Sequence, residues 1–400
     1  VSNSLLTIDM ITRKSLEILE NNLVITRTIN RQYDDSFAKS GAKIGSTLRI
    51  RLPDRALVTD GAALQVQDDV EQNTSLTVSS QKHIGINFTT AELTMQLDDF
   101  AERVLKPRIS QLAASIDADV ANSFQNIFQS VGTPGTTPGT SLVLLQAQQK
   151  LNEAAAVMSP RYATVNPAAN AALVEGMKGL FNPVSTISKQ FKSGLMGEGI
   201  LGYEELNMSQ SIKQHTTGSR TGSHTVTTTV ATQGASTIAI TGTGSQVIKK
   251  GDVFTISSVF AVNPQTREST GSLQQFVATA DATATGGAYT VSVSPAIYTA
   301  SQALATVDSF PQASATVTFL GSASTQYPQN LVYHKDAITF ATADLVMPQG
   351  VDMASRQVHN GISMRIVRQY DINNDRMPCR IDVLYGYGVI RPQMAVRMWG

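Results

Sequence analysis

The chain holds one cysteine, Cys379, among 400 residues. An internal disulfide is therefore excluded, and with it the small disulfide-stapled folds. A lone thiol fits a reducing compartment. Beside Pro378, with no base nearby in sequence, it reads as inert. No run of about 18 apolar residues occurs, so no segment reads as a membrane-spanning helix. No basic n-region leads into an apolar stretch, so no secretory leader is expected. Charge is scarce, at 16% of residues against about 25% in ordinary soluble proteins. Neither sign dominates: 31 Lys and Arg face 31 Asp and Glu, a formal net charge of zero. Dedicated nucleic-acid binders carry a basic excess, and this chain has none. A neutral protein repels its own copies weakly, which favours self-association.

Signatures of chemistry are also missing. There is no Walker loop, no His-Glu-x-x-His and no Gly-x-Ser-x-Gly elbow. His83, His215, His224, His334 and His359 share no metal-ligand spacing and read as surface or packing residues. Gly194-Leu195-Met196-Gly197-Glu198-Gly199 has the glycines of a phosphate loop, but no strong strand precedes it. Asp98 and Asp99 open a helix, where carboxylates meet its dipole without any metal. Asp68, Asp69 and Glu71 read as a solvated turn before a cation site. No catalytic, cofactor-binding or metal residue is assigned, and no cofactor is expected.

What is present is a chain of unequal parts. Hydrophobic residues make up 42%, enough for a sizeable core, and a chain this long usually divides into two or more domains. Residues 1–60 hold nine basic and seven acidic side chains, 61–131 four and nine, 132–215 six and five, 216–326 four and four, and 327–400 eight and six. The zero thus resolves into mildly basic ends, an acidic stretch and a nearly uncharged block that carries 23 threonines. That block is all-β by pattern. Short runs rich in Val, Ile, Thr and aromatics fall at 223–230, 236–240, 252–257, 274–279, 288–293 and 314–320, separated by Gly and Pro. Six such strands suggest a small barrel or sandwich, inserted in a larger α+β domain.

Around it, Thr7 is a candidate N-cap for an amphipathic helix carrying Ile8, Ile11, Leu16, Leu19 and Leu23. This helix either docks on its own domain or reaches a partner. Leu48, Ile50 and Leu52 alternate with Arg49 and Arg51, the period of a half-buried strand closed by Pro53. Leu64/Val66, Leu76/Val78 and Ile84/Ile86/Phe88 continue the alternation, so 46–89 reads as long strands joined by a polar excursion. A lone ribbon is marginal in water, and a neighbouring surface is expected to cover it. Leu93, Leu97, Phe100, Val104, Ile109, Leu112, Ile116, Val120, Phe124 and Phe128 repeat at helical spacing. Pro107 predicts a break near Lys106, after which a helix to Gln129 would run about 35 Å. A Gly/Pro/Thr loop at 132–139 leads to a helix at 141–157, a strand from Arg161 and a helix at 168–180. Residues 182–202 read as irregular, and the chain closes with a strand over 380–392.

This order resembles the major capsid (coat) proteins of tailed bacteriophages, whose shared architecture is the Johnson capsid fold. Within them it is similar to coat proteins of short-tailed phages that carry an inserted β-barrel domain. The residues that carry the likeness are Lys250-Gly251-Asp252-Val253-Phe254-Thr255-Ile256, then Val259, Ala261-Val262-Asn263-Pro264, Thr266 and Leu273-Gln274-Gln275-Phe276-Val277. Lys106-Pro107-Arg108-Ile109 through Ile116-Asp117-Ala118-Asp119-Val120 looks like the family's spine helix. Leu331 through Ile338 resembles the return from the insertion. The resemblance implies an α+β fold with an N-terminal arm (1–45), an extended β loop (46–89), a spine helix (90–131), an axial domain in two parts (132–215 and 327–400) and a barrel domain (216–326). It implies a non-enzymatic structural protein that forms an icosahedral shell with copies of itself, by way of a precursor built on a scaffolding protein. Implied further partners are a portal, a decoration protein and packaged DNA held by weak non-specific contact, with no membrane. The implied location is the virion capsid, assembled in the bacterial host cytoplasm. The rival reading is another self-assembling protein, such as a tail-tube, surface-layer or adhesin subunit, and an enzyme has no motif in its favour.

Candidates for contact with other copies or with scaffold are Asp9, Arg13, Lys14, Glu17 and Glu20 on the first helix, Arg49, Arg51 and Arg55 on the ribbon, and Asp68, Asp69 and Glu71 in the excursion. The arginines are either a solvated face or partners for carboxylates of another copy. Arg13, Lys14, Arg27 and Arg31 make the arm mildly basic. Deleting residues 1–25 is expected to block scaffold-dependent assembly without unfolding the core. Some relatives cross-link through a lysine and an asparagine; Lys82 has no identifiable partner in sequence, and no cross-link is expected.

Overall fold

The computed structural model describes residues 8–32, 45–59, 61–64, 66, 71–88, 101–177, 197–242, 245–373 and 377–400. The expectations placed on Thr7, Asp68, Asp69, Leu93, Leu97, Asp98, Asp99, Phe100 and Gly194 lie outside these residues. The chain divides into two compact units. The first comprises Val1–Ile50, Asn73–Val120 and Thr339–Gly388; the second comprises Arg51–Gln72, Ala121–Ile338 and Val389–Gly400.

The first unit is built on a five-stranded sheet. Its path runs Ile338–Ala343, Met377–Val389, Ile362–Arg368, Met353–His359, and Ser80–Phe88 also pairs with Met377–Val389. Helix Ile8–Asn22 lies on strands Met353–His359 and Ile362–Arg368. Leu16, Leu19 and Leu23 of its apolar stripe are buried. The arm helix therefore belongs to the core of this unit. Removing residues 1–25 would strip that face from the sheet, so the deletion is destructive rather than neutral. Ser46–Arg51 pairs with Asn73–Val78 as a two-stranded ribbon.

The spine changes helix type at the expected break and differs from expectation at its C-terminal end. A π-helical turn, Ala101–Leu105, passes at Lys106 into α-helix Lys106–Ala121. The proline thus sits in the first α-turn, where its missing N–H is no loss. Those 16 residues span about 24 Å at 1.5 Å per residue. Beyond them Asn122–Asn126 tightens to a 3-10 turn, and Ser130–Val131 joins a sheet beside Ala395–Trp399. Phe124, Ile127 and Phe128 are buried in this form as well, which is why apolar spacing alone ran the helix too far.

The second unit holds two large sheets and a small two-stranded one, Val247–Ile248 with Ala282–Thr283. The first follows the path Ser130–Val131, Ala395–Trp399, Gln326–His334, Arg161–Val165, Tyr203–Met208, Gly197–Ile200. Helix Ser141–Glu153 packs Leu144, Ala147 and Leu151 with Ala169 and Leu173 of helix Pro167–Met177 against its Val165, Val332, Val396 and Met398. Part of the stretch read as irregular is thus a hairpin. Leu201 (φ 52°) and Gly202 (φ 78°) take positive φ at its turn, and glycine accepts that conformation without strain.

The other large sheet has six strands, in the order Ala235–Thr241, Ala288–Ile297, Ser269–Ala278, Val253–Val262, Thr316–Phe319, His224–Thr225. A bridge between Val226 and Ile240 joins its last member to its first. The Thr-rich block is therefore a closed barrel. Closure removes the free edges that invite aggregation. Phe254, Phe276, Tyr289, Val291 and Val317 fill its interior. Phe254 and Phe276 sit opposite each other in register, with ring centroids 5.9 Å apart. No strand forms among the described residues of 52–72, so the alternation Leu64/Val66 is not a strand.

Candidate functional site

The densest buried chemistry of the second unit surrounds Asp252. Strand Gln214–Thr216 pairs antiparallel with Gln326–His334, placing His215 opposite Tyr327. The two ends of the barrel block are thereby brought side by side. Asp252, fully buried, lies at the start of the barrel strand Val253–Val262. Its carboxylate accepts from His215 Nε2 at 2.8 Å, Gly218 N at 3.0 Å, Arg220 Nη1 at 3.0 Å and Lys249 N at 3.1 Å. Burial acts to raise the Asp252 pKa. The hydrogen bond from His215 and the charge of Arg220 outweigh it and hold the carboxyl below its ordinary value. Arg220 also donates to the carbonyls of Leu320 and Gly321 and lies 4.4 Å over the Phe319 ring. Arg397 of the last strand donates to Gly251 O at 2.6 Å. Burial pushes its guanidinium down to about 9. At Gly251 (φ 94°) a side chain would be strained by the backbone, and its Cβ would crowd His215 Cε1 at 3.2 Å. This hub ties three chain segments together.

Two buried carboxylates organise the first unit. Asp117, on the spine helix, accepts from Val24 N at 2.6 Å, Ile25 N at 3.3 Å, Thr26 N at 3.1 Å and Thr26 Oγ1 at 2.6 Å. The side chain satisfies the first orphan N–H groups of the short helix Ile25–Thr28 and fixes the arm to the spine. Asp382 takes a bidentate pair from Arg365, at 3.0 and 2.7 Å, and further bonds from Arg380 at 3.1 Å and Gln81 at 2.9 Å. It clamps three neighbouring strands.

The contact candidates divide by what they already hold. Asp9 accepts from Ser355 at 2.5 Å, and Glu20 accepts from Asn360 at 2.6 Å and faces His359 at 3.3 Å. Both thus fasten the first helix to its own sheet. Arg13 and Lys14 are exposed around Glu17, at 4.0 and 3.6 Å. Arg49 donates to Asn73 at 3.1 Å, and Arg51 pairs with Glu71 at 3.2 Å. Arg55 lines a cleft of about 550 Å³, together with Arg391, Lys150 and barrel residues Pro264 and Leu273. Asp68 and Asp69 lie outside the described residues.

His215 is a buried packing histidine, edge-on to the Phe124 ring and bonded to a carboxylate. Its 37-residue separation from Asp252 has no local signature, although Asp252 itself stood in the pattern that carried the resemblance. Lys82 is bound by Asp119 at 2.7 Å and by Ser115 O and Oγ at 2.9 and 2.7 Å. An ammonium engaged with three acceptors is not free to attack an asparagine. Purified shells should therefore run as a single monomer band on denaturing gels, and a ladder of covalent multimers would contradict this. Burial pushes the Cys379 thiol up to about 12, and the thiolate is the reactive form. Iodoacetamide at pH 8 should leave it unmodified in the folded chain and alkylate it fully in denaturant, as read by mass spectrometry.

Among the described residues no group of three His, Cys, Asp or Glu side chains is placed to hold a metal ion, and no helix is long and apolar enough to cross a membrane. A family model described as "P22 coat protein - gene protein 5" matches residues 2–400. A curated relative, the major capsid protein of Acyrthosiphon pisum secondary endosymbiont phage 1, is 22% identical over 337 residues, covering 79% of each chain. Among solved structures, one from Mycobacterium phage Che8 covers 94% of this chain and 90% of its own at 10% identity, with a TM-score of 0.44. The CUS-3 coat protein I-domain is 29% identical, over 26% of this chain and 98% of its own, with a TM-score of 0.20. The match along nearly the whole sequence, on an α+β body carrying a closed barrel, places this chain in the P22 coat protein family, as a structural major capsid protein of a tailed phage whose copies make up the virion shell.

Proposed function

We propose that the chain assembles, in the cytoplasm of a bacterial host, into a scaffold-dependent precursor shell of a short-tailed phage, which then receives DNA through a portal. In this reading residues 1–45 are an arm, 46–89 an extended loop reaching an adjacent subunit, 90–131 the spine, 132–215 and 327–400 the axial domain and 216–326 the inserted barrel. The observation that supports it most is on the excursion. Val58, Leu64 and Val66 are 77%, 89% and 84% exposed, and large apolar side chains left so bare mark surfaces that a partner covers. Many weak contacts summed over a shell allow correction before closure. The neutral chain encloses DNA through weak non-specific contact rather than gripping it. The barrel face is available to a decoration protein. Arg13, Lys14 and Glu17 form the exposed side of the first helix and are the scaffold contact.

The test keeps the fold and changes the surface. Val58→Asp/Leu64→Asp/Val66→Asp should remain a folded monomer by circular dichroism and yield no shells. Arg13→Glu/Lys14→Glu should keep the wild-type melting curve and lose scaffold-dependent assembly. Normal shells from either variant would remove that element from the proposal.

A further inference from the structure

The cleft beside Arg55 is lined by none of the residues of the Asp252, Asp117 and Asp382 clusters. Its volume of about 550 Å³ falls in the range of specific ligand sites. Three cations line it, Arg55, Lys150 and Arg391, against two carboxylates, Asp54 and Glu153. Lys150 and Glu153 face each other at 3.9 Å. Arg55 and Arg391 make no side-chain hydrogen bond or ion pair among the described residues. Arg49 and Arg51, the neighbouring arginines of the ribbon, are engaged with Asn73 and Glu71. Two unpaired guanidinium groups in one recess suit carboxylates, which they bind in bidentate fashion. The rest of the lining includes apolar groups, among them Leu52, Pro264, Leu273 and Met394.

The excursion carries a segment of complementary chemistry whose described apolar side chains are bare. Leu64-Gln65-Val66-Gln67-Asp68-Asp69 sets two apolar side chains just before two carboxylates. Leu64 and Val66 are exposed, so they do not fill the cleft of their own chain. Three carboxylates of the acidic stretch are already engaged: Asp117 by the arm, Asp119 by Lys82 and Glu71 by Arg51. We propose that the cleft receives the Leu64–Asp69 segment of a second copy, with Asp68 and Asp69 pairing with Arg55 and Arg391 while Leu64 and Val66 cover the apolar lining. This rests on the reading that the excursion reaches an adjacent subunit, and it names the surface reached.

The test uses the full chain, expressed with scaffold, with shells quantified by sedimentation beside a wild-type control. Arg55→Glu/Arg391→Glu and Asp68→Arg/Asp69→Arg should each reduce shell yield at least tenfold while the soluble chain keeps its wild-type melting curve. The fourfold variant combining both charge reversals should recover most of the yield. Should the glutamate variant fail to fold, Arg55→Gln/Arg391→Gln replaces it, and its assembly should lose the salt sensitivity of the wild type. Wild-type yield and salt response from the Arg55/Arg391 variants would overturn the assignment, as would a fourfold variant no better than its parents. If Leu64→Asp/Val66→Asp blocks shells but the arginine variants assemble, the excursion reading stands and only the cleft is wrong. If Leu64→Asp/Val66→Asp assembles normally, the excursion reading itself fails.

Discussion

Asp252→Ala lowers the stability of the second unit by about 3–5 kcal/mol, the cost of leaving buried charge without its partner. The carboxylate removed is fully buried, and it compensates the Arg220 guanidinium while accepting from His215, Gly218 and Lys249. Arg220 keeps its carbonyl acceptors at Leu320 and Gly321 but loses its counter-charge, and His215, Gly218 N and Lys249 N lose the carboxylate they donate to, each buried unpaired donor costing about 1–3 kcal/mol. Asp252→Asn separates charge from shape. It keeps the volume and one acceptor oxygen but leaves Arg220 uncompensated, so most of the loss should remain. The pH dependence has a definite sign. The folded carboxyl titrates below its ordinary value, so its contribution is fully present above the unfolded pKa, about 3.9. It is lost as pH falls through the lower, folded pKa. The carboxyl's own share of the difference between wild type and Asp252→Asn should therefore shrink only in strong acid. The readout is convenient. Trp399 is the single tryptophan, it packs edge-on to Tyr327 with ring centroids 5.6 Å apart, and its fluorescence follows denaturation of this unit.

Asp117→Ala should release the N-terminal helix from the first unit, at a cost of about 3 kcal/mol or more, because three backbone N–H groups and the Thr26 hydroxyl lose their acceptor together. Hydrogen exchange over residues 8–28 should speed up about a hundredfold, a tenfold change corresponding to about 1.4 kcal/mol. Strands remote from the arm should be little affected. Burial raises the Asp117 pKa, against the pull of Thr26 and the backbone donors. For a carboxyl raised in this way, the titration-linked stability is present at low pH and is lost as pH rises through the folded value. A neutral amide avoids that loss and keeps one acceptor, so Asp117→Asn should fall between wild type and alanine at pH 7. Equal exchange in wild type and Asp117→Ala would show that the arm is held by its apolar face alone.

The barrel was legible because its strands obey period two. Phe254 and Ile256 point inward with Thr255 between them, and the turns carry Gly and Pro. The spine helix was legible to Ala121 and overrun after it, since Phe124 and Phe128 are buried whether the chain is helical or extended. The Gly197–Ile200 hairpin was missed because its glycines look like a loop until Tyr203–Met208 lies beside it. The arm illustrates the opposite case. Its stripe of Leu16, Leu19 and Leu23 was visible, but not the sheet that covers it, so the segment read equally well as free or docked. The hub at Asp252 is tertiary. His215, Arg220 and Asp252 meet only once the barrel has closed and its two flanking strands have paired. Charge scanned along the chain locates these residues without revealing that three of them share one buried site. The acidic balance of 61–131 also changes meaning in three dimensions, because Asp117 and Asp119 serve the fold and only the remainder is available to partners.

Electron microscopy of the chain expressed with a scaffolding protein addresses the assembly proposal most directly. Closed icosahedral shells should form with scaffold, and far fewer or aberrant particles without it. Tubes, sheets or a uniformly small monodisperse species under both conditions would contradict it.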